Sequence, residues 1–135
     1  MRDLPKQWKV LAVLTPENGI VVSRDDGDAD SGKQQETFSP VEFLCASLAT
    51  CIAKSLRQLM SRDGIPLTRL TVAAEAIKAA TPPSRIGRFE VLVDVPEVPG
   101  NLRNKLIVSA ERACTVGNTL VRGAKLQVTD VSRNA

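Results

Sequence analysis

The sequence predicts an α+β domain with a largely antiparallel sheet, in the order β-β-α-β-β-α-α-β, and three observations carry that prediction. Short β-rich runs come in pairs, Trp8–Leu14 with Gly19–Ser23 and Leu67–Ile77 with Arg88–Val95. Helical patterns lie between and after the pairs, at 40–63, 101–113 and 115–122. Turn and cap residues punctuate the junctions. Paired strands with helices between them favour this class over a doubly wound parallel sheet. The 135 residues fit a single domain spanning 1–135, and 43% apolar with 24% charged residues support a packed core. With three Phe, one Trp and no Tyr, that core must be mostly aliphatic.

Pro16-Glu-Asn-Gly19 is a turn signal that makes the first two runs a hairpin. The stretch from Asp25 to Thr37 is polar and reads as a loop. Asp26, Asp28 and Asp30 have the spacing that opens a calcium loop, but Gly32 falls one residue late and Glu36 one early, so a solvated acidic loop is the better reading. Ser39-Pro-Val-Glu42 reads as a helix start, with Ser39 the N-cap, Pro40 at the first position and Glu42 at the third. That helix should run to about Asp63 and stop at Gly64-Ile-Pro66. Its first half is nearly all apolar, which places it inside a core or an interface. In the third strand Leu70, Val72, Ala74 and Ala76 fall on one side. Pro99-Gly100 opens a second helix with Leu102, Leu106, Ala110 and Ala113 at helical spacing, and Cys114 follows at its end. Thr115–Arg122 is a short helical piece, and Lys125–Val131 closes the chain as a strand.

Composition removes several function classes. The net charge is only +3 and no Lys/Arg run reaches five, so the concentrated basic patch with stacking aromatics that nucleic-acid binding needs is missing. The start, Met1-Arg-Asp-Leu-Pro-Lys, has no apolar leader core, and Val41–Ala53 is too short and interrupted to span a bilayer. The expectation is a cytoplasmic protein without membrane attachment, whose thiols are reduced at rest. There is no histidine, which excludes Ser-His-Asp and Cys-His chemistry and leaves neither a zinc pattern nor any convincing metal site. A nucleophile here must be activated otherwise, and cysteine can manage that through a lowered pKa.

Of the three cysteines, Cys45 lies in the densest apolar stretch and reads as a small core hydrophobe. Cys45 and Cys51 differ by about 240° of rotation and about 9 Å of rise on a regular helix, which exceeds disulfide reach. Cys51 lies inside the first helix and Cys114 where the second ends. Tertiary packing could join them, but spacing alone leaves a chance pair of core thiols open as well.

Ser39-Pro-Val-Glu-Phe-Leu-Cys-Ala-Ser-Leu-Ala-Thr-Cys51 resembles the cysteine motif of the OsmC and organic hydroperoxide resistance (OsmC/Ohr) superfamily, in which the reactive Cys follows the helix-starting Pro by eleven residues. Ala113-Cys-Thr-Val-Gly-Asn-Thr-Leu120 is similar to the second motif of that superfamily. The element order matches too, so the resemblance covers nearly the whole chain. It implies an OsmC-like fold around a central helix, an intertwined homodimer with the site at its interface, and no cofactor. It also implies a thiol peroxidase for organic hydroperoxides, with Cys51 peroxidatic, Cys114 resolving, and a dithiol such as lipoyl groups as reductant. The sulfenate formed at the first Cys would condense with the second.

The chain departs from the pattern at two places. The peroxidase members carry Glu directly after the Pro, paired with an Arg of the N-terminal hairpin. Here that position is Val41 and the carboxylate is Glu42, a swing of about 100° on the helix. Glu42 can act as the catalytic carboxylate or simply complete a capping box with Ser39. The hairpin offers Arg24, which reads either as the activating cation or as a solvated turn charge. Thr115 and Gly117 stand where the second motif usually has Pro and Ser. An OsmC-like branch without peroxidase activity, binding a small molecule or sensing redox state, is the alternative these departures suggest. Two inert core thiols in a structural dimer are a third reading.

Overall fold

The computed structural model describes residues 6–24 and 38–132. Its elements are β1 (Gln7–Thr15), β2 (Gly19–Arg24), α1 (Pro40–Arg62), β3 (Leu70–Lys78), β4 (Ile86–Asp94), α2 (Gly100–Ala113) and α3 (Thr115–Arg122). The four strands form one antiparallel sheet in the order β2-β1-β3-β4. The predicted α+β class and the first seven elements are therefore present, with boundaries within about three residues of the sequence reading. The calcium-like Asp26, Asp28 and Asp30 lie outside the described residues.

Local chemistry explains the element ends. In the β1–β2 hairpin Thr15 Oγ1 accepts from the Asn18 amide at 3.2 Å, and Gly19 takes a φ of +64° that other residues rarely adopt. The N-terminus of α1 has a full capping box: the Glu42 amide donates to Ser39 Oγ at 3.3 Å and the Ser39 amide donates to Glu42 Oε1 at 2.9 Å. At its other end the Ile65 amide returns to the Met60 carbonyl at 2.8 Å across Gly64, whose φ is +70°.

The core lies between α1 and one face of the sheet. The helix presents Cys45, Leu48, Ala49, Ile52, Ala53, Leu56 and Met60, all buried and recurring at helical spacing. The strands answer with Val10, Ala12 and Leu14 from β1 and Leu70, Val72, Ala74 and Ala76 from β3. Val10 pairs with Ala74 and Ala12 with Val72 in the register, so one side of each strand is apolar and packed. The small Ala side chains let the helix settle close to the sheet. On the neighbouring loop, Glu97 accepts from the Thr68 and Arg69 amides at 2.7 and 2.9 Å, tying the β4–α2 connection to the α1–β3 connection.

Two surfaces depart from a self-sufficient core. The predicted closing strand, Lys125–Val131, does not form: residues 123–132 carry no strand pairing. Leu126, Val128 and Val131 are 87–88% exposed there. The β propensity of the segment is real, but a strand needs a hydrogen-bonding neighbour, and this chain brings neither edge strand, β2 nor β4, to it. The second surface is on α1. Phe43 is half exposed, Val41, Leu44 and Ala46 are only partly buried, and no charged residue occurs between Glu42 and Lys54.

Candidate functional site

The site is organised by the middle of α1, the C-terminus of α2 and the first turn of α3. Cys51 sits midway along α1 and is half buried. Cys114 is both the C-cap of α2 and the N-cap of α3, and it is 1% exposed. Tertiary packing brings these two thiols near enough that the Cys51 side chain raises the titration of Cys114. Cys45 is buried on the sheet-facing side of α1 and takes no part in that pairing.

Position gives the thiols different chemistry. Burial pushes Cys45 up to about 11, helped by the negative charges of Glu42 and Glu75, so it stays a thiol at physiological pH. Cys114 is also pushed up to about 11, first by burial. Hydrogen bonds from the backbone amides of Gly117 and Val116 act in the opposite direction, and the Cys51 side chain adds to the rise. The Gly117 amide donates to Cys114 Sγ at 3.2 Å.

Arg24 and Glu42 meet as a bidentate pair. Arg24 Nη2 donates to Glu42 Oε1 at 2.9 Å and Nε donates to Oε2. The Glu42 side chain is 8% exposed and that of Arg24 25%. The guanidinium also lies over the Phe38 ring, 5.7 Å from its centre. Glu42 is held at about 2, chiefly by the Arg24 hydrogen bond and further by Ser39, against the opposing effect of burial. The two roles expected of Glu42 prove compatible, because Oε1 accepts from the Ser39 amide and from Arg24 together. Arg24 is an ion-paired, ring-stacked group rather than a solvated turn charge.

The structure thus makes two pairs and sets them apart. Glu42 precedes Cys51 by nine residues on the same helix, about 13.5 Å of rise. The thiol whose titration Glu42 influences is Cys45, three residues on.

Beside Cys114 opens a groove of about 620 Å³ between α1, β4, α2 and α3. Its apolar wall includes Leu48, Phe89, Val91, Ile107 and Leu120, while Cys51 does not line it. Phe89, Val91 and Val93 of β4 fall on the sheet face that α1 packs against, and are only partly covered. Sequence reasoning found the two cysteines but missed the groove, the Phe38 contact and the Gly117 amide. The first two depend on chain segments far apart in sequence; the third was hinted at by Gly in the second position after Thr115. Among the described residues no cluster of metal-ligating side chains occurs, and no helix is long and apolar enough to cross a membrane.

A half-buried thiol on α1 and a buried one at the α2–α3 junction, both beside an antiparallel sheet, define an α+β domain with a close pair of cysteines. The family model for OsmC-like proteins matches residues 32–129, and the chain belongs to that family. Among solved structures, an OsmC-like hydroperoxide resistance protein from Jannaschia sp. CCS1 has the same fold, with a TM-score of 0.60 and 16% identity over 93% of this chain and 96% of that one. Comparison with curated proteins finds no match.

Proposed function

We propose that this protein is a thiol-dependent peroxidase for organic hydroperoxides, with Cys51 as the peroxidatic and Cys114 as the resolving cysteine. The observation that carries the reading is the nearness of a half-buried Cys51 to a buried Cys114, whose titration it raises. The Cys51 thiolate attacks the distal peroxide oxygen; the O–O bond breaks, an alcohol leaves after taking up a proton, and Cys51 becomes a sulfenic acid. Cys114 then condenses with it, forming the disulfide and releasing water. A dithiol, such as a lipoyl group, restores both thiols. The apolar groove favours an organic hydroperoxide over hydrogen peroxide, because alkyl or aryl groups gain by leaving water there. The Jannaschia relative, a hydroperoxide resistance protein, agrees with this reading.

The working form in this proposal is a homodimer. The uncharged face of α1, the open groove and the apolar tail at 126–131 together leave more apolar surface than an isolated chain tolerates well. Given the roughly 13.5 Å of helix between them, the Arg24–Glu42 pair approaches a Cys51 only where two α1 helices lie side by side. Ending the chain after Gly123 should then convert a dimer to monomers or aggregates, as read by light scattering coupled to size exclusion.

The enzymatic test is direct. Protein supplied with dihydrolipoamide should consume cumene or tert-butyl hydroperoxide, and Cys51→Ser should abolish consumption. Absence of turnover across several alkyl hydroperoxides would refute the peroxidase. The second reading is a non-peroxidatic OsmC-like protein that senses redox state or binds a small molecule. It is favoured by the engagement of Arg24 and Glu42 with each other beside Cys45 rather than Cys51. It predicts disulfide formation on oxidation without catalytic peroxide turnover.

A further inference from the structure

The two sulfurs of the pair differ in surroundings, and the difference bears on how their disulfide is opened. Cys51 is half buried, whereas Cys114 is 1% exposed and caps α3. Cys114 Sγ accepts the Gly117 amide at 3.2 Å, and the Val116 amide acts on it as well. A Cβ at position 117 would stand 3.3 Å from Cys114 Sγ, a tight contact, and 3.7 Å from Leu48 Cδ1, an ordinary one. The charged groups lining the same groove are Glu111, Arg112 and Arg122.

We infer that the Cys51–Cys114 disulfide is opened in one direction, with the incoming thiolate attacking Cys51 and Cys114 leaving as a thiolate held by the Gly117 amide. This rests on the redox reading of the pair given above. In the first step a thiolate of the dithiol bonds to Cys51 Sγ, the Cys51–Cys114 bond breaks, and its electron pair goes to Cys114 Sγ. In the second, the other thiol of the dithiol loses its proton and bonds to the first. The mixed disulfide breaks and Cys51 leaves as a thiolate. The dithiol ends as a cyclic disulfide, two electrons pass to the protein, and its two protons end on the two cysteines.

Access sets the direction, and the amide at the start of α3 eases the departure. Exchange requires access to the sulfur under attack, and Cys114 is closed off. A thiol also leaves faster when its thiolate is stabilised, and burial holds Cys114 up at about 11 even with its backbone donors in place, so its departure depends on every donor it keeps. The Gly117 N–H, fixed at the start of α3, offsets part of that burial where the charge develops, with no reorganisation needed.

The full chain, oxidised with one equivalent of tert-butyl hydroperoxide, is exposed to glutathione, quenched in acid, alkylated and mapped by mass spectrometry. Glutathione is expected on Cys51 with the alkyl group on Cys114; glutathione mainly on Cys114 overturns the inference. Gly117→Pro removes the amide donor at a first-turn position that tolerates proline, and Gly117→Ala keeps it. Dithiothreitol should open the disulfide of Gly117→Pro roughly tenfold more slowly than wild type, and that of Gly117→Ala within roughly threefold. In a Cys51→Ser background the Cys114 thiol should titrate higher with Gly117→Pro, which lacks the donor, than with Gly117→Ala. Equal opening rates for the two Gly117 variants overturn the inference. If peroxide yields no Cys51–Cys114 disulfide, the redox reading itself fails; a disulfide that maps the other way defeats only the direction.

Discussion

Replacing Glu42 by Gln tests the electrostatics of the Arg24–Glu42 pair with little change of shape. Gln can still take the third position of the capping box, so the Ser39 interactions survive and the lost component is the charge. In the folded protein the Glu42 carboxyl is held at about 2 against an ordinary value of 4.5. A difference of that size corresponds to about 3 kcal/mol of stability at pH 7. The folded-state value is the depressed one, so this stability is fully present above the unfolded value of 4.5 and is lost as pH falls toward 2. Glu42→Gln should therefore cost about 2–3 kcal/mol at pH 7, and the gap to wild type should close between pH 4.5 and pH 2. Urea unfolding at pH 7, 5, 4, 3 and 2, at one fixed protein concentration, measures both quantities. A variant within about 0.5 kcal/mol of wild type at pH 7, or a gap that persists undiminished at pH 2, would refute the argument.

The remaining predictions concern the core and the third thiol. Leu56 is fully buried between α1 and the sheet, so Leu56→Ala should destabilise by about 2–5 kcal/mol in urea unfolding, more than any exposed α1 position. Cys45→Ala should cost only about 1 kcal/mol and leave peroxide consumption unchanged, because its thiol is pushed up to about 11 and neither Cys51 nor Cys114 acts on it. Loss of turnover in that variant would assign Cys45 a chemical role.

Much of this fold was legible along the chain. The start of α1 was fixed by Ser39, Pro40 and Glu42, and its end by Gly64, because capping depends on residues within one turn of each other. The inward side of β3 followed from the alternation of Leu70, Val72, Ala74 and Ala76, since side-chain direction in a strand has a period of two. Where the reading failed, at Lys125–Val131, local propensity had no say over whether a neighbouring strand is within reach.

The site divides along the same line. Residue identities alone set which groups were available to act: no histidine, a carboxylate at the helix start, an arginine at the hairpin's end, and two cysteines in motif positions. Which of them meet was a matter of packing. Folding α3 back onto α1 brings Cys114 near Cys51 from a distant part of the chain, and closing the hairpin over α1 joins Arg24 to Glu42. The same packing buries Cys114 while turning the Gly117 amide toward its sulfur, and leaves Cys51 partly open. Burial and hydrogen bonding belong to the packed chain, and they are what make two identical side chains chemically unlike.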